Sequence, residues 1–138
     1  MSPGANRRPG TWGAVLLTLL TVTVFFLFQN YGPESAVRRF QEAVAAKDPR
    51  EVTDICVTGA SQPTIARLAG WIEQLQNDGA VTVIRGMDRQ PTLVLIQTVS
   101  ELHDGRGVAI TWVVKKQTDG WKIDPEGTVN YWRHALGL

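Results

Sequence analysis

The sequence predicts an α+β protein: an N-terminal transmembrane helix followed by three helices packed on a four-stranded antiparallel meander sheet. Three observations carry this. Residues 12–28 are apolar except for three threonines. From Ser35 to Gly79 apolar residues recur at helical spacing, and from Ala80 they alternate as strands do. The strands are joined through Asp104-Gly105 and Asp119-Gly120, tight-turn dipeptides rather than helical crossovers. Successive hairpins exclude a parallel, doubly wound sheet.

The first element is the run Trp12–Phe28, whose polar members are Thr18, Thr21 and Thr23. At about 1.5 Å per residue it spans roughly 25 Å, against about 30 Å for a hydrocarbon core. A threonine hydroxyl can bond back to its own helix, so it is tolerated in lipid. Trp12 and Tyr31 stand where interface anchors belong. A core helix would be apolar on one face only, and this run is apolar all round. A cleaved signal wants small residues before the cut, whereas the run ends in Phe-Phe-Leu-Phe-Gln-Asn-Tyr. The expectation is an uncleaved signal anchor. Arg7 and Arg8 precede it and hold the amino terminus on the cytoplasmic side; Arg38 and Arg39, beyond it, oppose that orientation and are partly offset by Glu34 and Glu42. The organisation read from this is a cytoplasmic N-terminus (1–11), a transmembrane signal anchor (12–30), a linker (31–35) and an extracytoplasmic α+β domain (36–138).

The helices and strands follow in order. In ESAVRRFQEAVAAKD, Val37, Phe40, Ala43 and Val44 share one face, and Ser35 can cap the start. Asp48-Pro49 opens a short second helix, with Asp48 and Glu51 spaced as a capping box and Val52, Ile55 and Cys56 inward. The third helix carries the stripe Ile65, Leu68, Ala69, Ile72, Leu75 and stops at Gly79; Gly70 within it suggests close packing. Strands are read in AVTVIRGM, TLVLIQTVSEL, GVAITWVVKKQ and GWKID. The segment GTVNYWRHALGL is a short helix or a strand with a tail.

Charge and cysteine content narrow the function. The net charge is +1, and beyond residue 30 there are 12 basic residues (14 less Arg7 and Arg8) against 13 acidic ones. No basic arm exists, so nucleic acid is not an expected partner. The single cysteine, Cys56, has no disulfide partner and reads as a buried thiol.

The opening helix AVRRFQEAVAAKDPREV, the long third helix and the hairpin VVKKQTDGWKID resemble the nuclear-transport-factor-2-like superfamily, also called SnoaL-like or cystatin-like cones. The resemblance covers about residues 34–125 and is one of order and texture. It implies a cone-like domain, helices across a bent sheet with a pocket at the mouth, of the kind found in small membrane-anchored bacterial members. Some relatives of that build are scaffolding subunits, such as the bitopic inner-membrane component of type IV secretion.

Superfamily enzymes such as ketosteroid isomerases and scytalone dehydratase place Asp, His or Tyr inside the cone, where burial tunes the acid or base. Here His103 and His134 read as solvated, Asp88 as a turn residue, and Asp54 as solvent-facing or, on the functional reading, facing a pocket. No Ser/His/Asp order, phosphate loop or metal-spaced cluster occurs, so no catalytic residue, cofactor or metal is assigned. The binding candidates are Trp112, Trp132, Tyr131 and Asp54; Trp112 in mid-strand also reads simply as core. The expected function is a non-catalytic binding or envelope-assembly domain on the outer side of a bacterial cytoplasmic membrane, its partner an envelope protein or a small apolar ligand. The alternatives are an isomerase- or dehydratase-type enzyme and a dimerisation scaffold. A homodimer would use an uncovered sheet face carrying Val94, Ile96 or Val113.

Overall fold

The computed structural model describes the backbone of residues 9–137 and the side chains of residues 10–26 and 32–137. The Arg7–Arg8 pair and the side chain of Tyr31 lie outside the described residues. The chain divides into two compact units, Met1–Tyr31 and Gly32–Leu138.

The described part of the first unit is one helix, α1 (Pro9–Tyr31), of 23 residues, about 35 Å of backbone. Among the described residues no helix is long and apolar enough to cross a membrane. The described side chains of α1 are those of residues 10–26. The expected span over 12–30 runs past them.

The second unit is α+β. It contains α2 (Pro33–Ala45), α3 (Pro49–Ile55), α4 (Gln62–Asn77), β1 (Val81–Arg89), β2 (Leu93–Glu101), β3 (Gly107–Gln117), β4 (Gly120–Ile123) and α5 (Pro125–Ala135). The strands form one antiparallel sheet in the order β1-β2-β3-β4, the meander that the hairpin turns predict.

Two boundaries differ from the sequence reading. The expected linker 31–35 shrinks to Gly32, because Pro33 sits in the first helical turn, where its missing N–H costs nothing. Ser35 is therefore inside α2, its hydroxyl donating to the Gly32 carbonyl at 2.6 Å, and is not the cap. The α3 start is as read: Asp48 accepts from the Glu51 amide at 3.2 Å.

Register decides which residues form the core. On β2 the buried residues are Val94, Ile96, Thr98 and Ser100; on β3 they include Ile110, Trp112 and Val114. Pairing of Met87 with Ile96 and of Ile96 with Trp112 lays one apolar row across three strands. The Phe40 ring of α2 meets Trp112 edge-on at 5.6 Å between centroids. Val94 and Ile96 thus face the helices and are 2% and 0% exposed. This corrects their placing on an uncovered face: in a strand the side-chain period is two, so parity with Trp112 fixes their side. Val113 does point to the other side, but α5 covers it; a methyl added at Gly127 would lie 3.1 Å from Val113.

The segment left open by sequence is helix α5. Asp124 caps it, accepting from the Gly127 amide at 3.1 Å, and also bridges to Lys115 at 2.7 Å. The Val113 amide donates to Thr128 Oγ1 at 3.0 Å, and the Asp124 amide to the Val113 carbonyl at 2.8 Å. Where β4 ends, the first turn of α5 takes over the exposed edge of β3. The far edge of β4 is covered by residues 56–57, through a parallel bridge from Cys56 to Ile123 and the bond from the Val57 amide to the Ile123 carbonyl.

Candidate functional site

Four places carry features that core packing does not require. The first is the surface of α1. Its large apolar side chains are exposed in every direction, from Val24 at 40% to Trp12 at 69%. The threonines do not interrupt this surface. Thr18, Thr21 and Thr23 donate to the carbonyls of Ala14, Leu17 and Leu19 at 2.7–2.8 Å, so each hydroxyl proton is used within the helix.

The second is an apolar groove of about 380 Å³ where the end of α2 meets α3 and α4. Val44, Val52, Ile65, Ala66 and Ala69 give its apolar lining, with Lys47 and Glu73 among its polar residues. Lys47 closes α2 in the left-handed region at φ 54°, with its amide bonded to Val44 and that of Asp48 to Ala43. That is a Schellman closure with lysine where glycine is usual. Sequence reading missed the groove. Its one signal, alanines at 43, 66 and 69, is indistinguishable from ordinary helix composition.

The third is a polar recess of about 560 Å³ that holds Asp54, together with Cys56, Asp119 and Lys122. The Asp54 side chain is exposed, and its carbonyl accepts from Lys122 Nζ at 2.7 Å. The Lys122 ammonium also bonds Asp119 at 3.0 Å, and this hydrogen bond holds the Asp119 carboxyl below its ordinary value. At its inner side the Cys56 thiol donates to the Val52 carbonyl at 3.2 Å. Burial, with a smaller contribution from the Asp124 charge, pushes that thiol up to about 12, despite a lowering influence from Lys122. The thiol stays protonated near neutrality and is no nucleophile.

The fourth is a cavity of about 200 Å³, partly open to solvent, between the sheet and the helices α2 and α4. Its lining combines the apolar Ile72, Leu75 and Ala80 with the polar Gln41, Gln76, Thr82 and Ser100. None of these side chains is ionisable, so this cavity offers no general acid or base of its own.

The aromatic candidates separate. Trp112 is fully buried, its indole donating to Thr98 Oγ1 at 3.0 Å, and it presents nothing to a ligand. Trp132 packs edge-on against Trp71 at 4.3 Å, which ties α5 to α4. Tyr131 is 46% exposed beside it. Asp54 lies on α3 and Tyr131 and Trp132 on α5, and the structure does not bring these elements together into one site. His103 is exposed in the β2–β3 turn, with its ring against Gly79. Gly79 has φ 71°, so glycine there serves both the turn and the approach of that ring. Gly70 has open space around it, and nothing in the structure explains its choice.

No protein-family profile, curated protein or solved structure matches this chain.

Proposed function

We propose that the protein is a single-pass, membrane-anchored binding domain. In this reading α1 stays in the bilayer and Gly32–Leu138 stands on the outer side of a cytoplasmic membrane, recognising an envelope partner or a small apolar ligand without catalysis. The observation that carries it is the surface of α1: apolar residues exposed on all sides, with the hydroxyl protons of Thr18, Thr21 and Thr23 bonded internally. In water such a surface is costly, at roughly 25 cal/mol for each Å². Exposed apolar patches of this extent mark contact with lipid or with another protein. Lipid is the better match, because a partner helix would cover one face and leave the rest wet, while a bilayer covers all. The two arginines before the helix supply the orientation.

For recognition, the groove formed by α2, α3 and α4 is the best-suited surface. It is concave and mostly apolar, and it is bordered by charge that can orient a partner. The thiol of Cys56 is neutral, and Trp112 is sealed in the core, so neither competes for the role.

Protease protection tests the topology. In intact spheroplasts, added protease should digest the domain while α1 remains in the alkaline-washed membrane pellet. Release of the whole chain by alkaline washing would sink the anchor, and digestion only in inverted vesicles would reverse the orientation.

A further inference from the structure

We infer that the partly open cavity between the sheet and helices α2 and α4 is a binding site for a small, uncharged ring compound bearing one hydroxyl or carbonyl group. This goes beyond the anchoring and groove recognition proposed above. It concerns a different part of the domain.

Two hydroxyl positions on the inner face of β2 show the contrast that points there. Thr98 makes two bonds: it accepts from the Trp112 indole at 3.0 Å and donates to the Ile110 carbonyl at 3.4 Å. Ser100, two residues on and equally buried, bonds only the neighbouring Thr82 hydroxyl, at 2.7 Å. Each hydroxyl offers one proton and two lone pairs. After their mutual bond the pair retains one proton and several lone pairs, at the wall of a cavity. Gln76 adds to this: one amide proton is used on the Gln41 carbonyl at 2.9 Å, and the rest of its carboxamide capacity is available. Ile72, Leu75 and Ala80 complete the lining and can meet only an apolar surface.

The lining therefore selects by chemistry. A carboxylate or an ammonium ion would give up part of its hydration in a site whose lining offers no counter-charge. A pure hydrocarbon would leave the hydroxyl pair without a partner. A neutral ring with one polar substituent satisfies both kinds of lining residue. The size agrees. Drug-sized ligands occupy roughly 300–1,000 Å³, and an engineered cavity of about 150 Å³ accepts benzene. A volume of about 200 Å³ suits one substituted six-membered ring.

The test uses the full chain, labelled with ¹⁵N, in lipid nanodiscs and in parallel in detergent micelles, so that the result does not depend on the anchor. Phenol, benzene, benzoate and benzylammonium are titrated at neutral pH. Phenol should shift the amide signals of Thr82 and Ser100 saturably. Benzoate and benzylammonium should bind at least tenfold more weakly, and benzene about fivefold more weakly. Ser100→Ala should lower phenol affinity about fivefold, to the level of benzene; Thr82→Val serves the same purpose if that variant misfolds. Ions binding as well as phenol would overturn the assignment. So would the absence of a saturable shift at Thr82 and Ser100 with any probe, which would mean that the cavity holds water only. Failure of the chain to enter nanodiscs would overturn the anchor and leave the micelle titration to decide the cavity.

Discussion

Phe25 and Phe40 are the same residue fifteen positions apart, each on a helix, and they meet opposite fates. Phe25 is 58% exposed and Phe40 is 0% exposed. The difference lies in spacing. In α2 the apolar residues Val37, Phe40, Ala43 and Val44 return every three or four positions, which leaves the opposite face to Arg38 and Glu42. That face can stay wet while the other packs on the sheet. In α1 the apolar residues do not return to one face; they fill all of them. A helix apolar all round is covered either by a large core or by a bilayer, and the anchor reading proposed above takes the second.

The comparison forecasts that the two units respond separately to mutation. The largest effect should come from Leu16→Lys with Leu20→Lys. Each charge near a bilayer centre costs about 3 kcal/mol, so the pair should move most of the protein out of the alkaline-resistant membrane fraction. The melting of the domain should not change. If membrane retention survives both charges, the contrast drawn between α1 and α2 is wrong.

Next in size is Trp112→Ala, which removes the largest fully buried side chain and the donor that Thr98 accepts from. A loss of about 3–5 kcal/mol is expected, lowering the domain's melting temperature by about 15 °C or more. Membrane retention should be unaffected. Calorimetry on the variant measures the first effect and fractionation the second.

A smaller effect concerns alkali. The Cys56 thiol ionises near 9 when exposed and near 12 in the fold. A raised folded value stabilises the protein fully below pH 9, and that contribution is lost as the pH climbs from 9 towards 12. The slope is at most about 1.4 kcal/mol per pH unit. Denaturant melts at pH 8.5 and 10.5 should show a larger drop for the natural chain than for Cys56→Ala. Equal drops would mean that the thiol is accessible in the fold.

The smallest is a gain. Lys47 holds a left-handed conformation, φ 54°, at the C-terminal closure of α2. Lys47→Gly should stabilise the domain by about 0.5–1 kcal/mol. If the lysine also borders a recognition groove, the same change should weaken partner binding while stability rises. A loss of stability would show that its side chain packs usefully.

Much of the fold was legible because its signals are local. The period of Val37-Phe40-Ala43-Val44, the Asp48-Pro49 start, the Gly79 stop and the two Asp-Gly turns each act within a few residues, and each stands where it was read. The ending was not legible, because Thr128 and Asp124 form α5 partly through bonds to Val113, which is distant in sequence. Sheet faces went wrong at Val94 and Ile96 for a similar reason. Alternation says that neighbours differ, but only pairing with Trp112 says which side is which.

The candidate site was less visible still. Trp112 and Asp54 were singled out by residue type, and the structure separates them into core and surface. By itself, the sequence determined that one helix is apolar all round, that hairpins make the sheet antiparallel, and that one thiol stands alone. Tertiary structure alone decided where α2, α3 and α4 leave a groove, and that Ser100 faces a cavity while Thr98 does not. Periodicity is a property of a few consecutive residues, whereas an empty volume belongs to elements far apart in the chain.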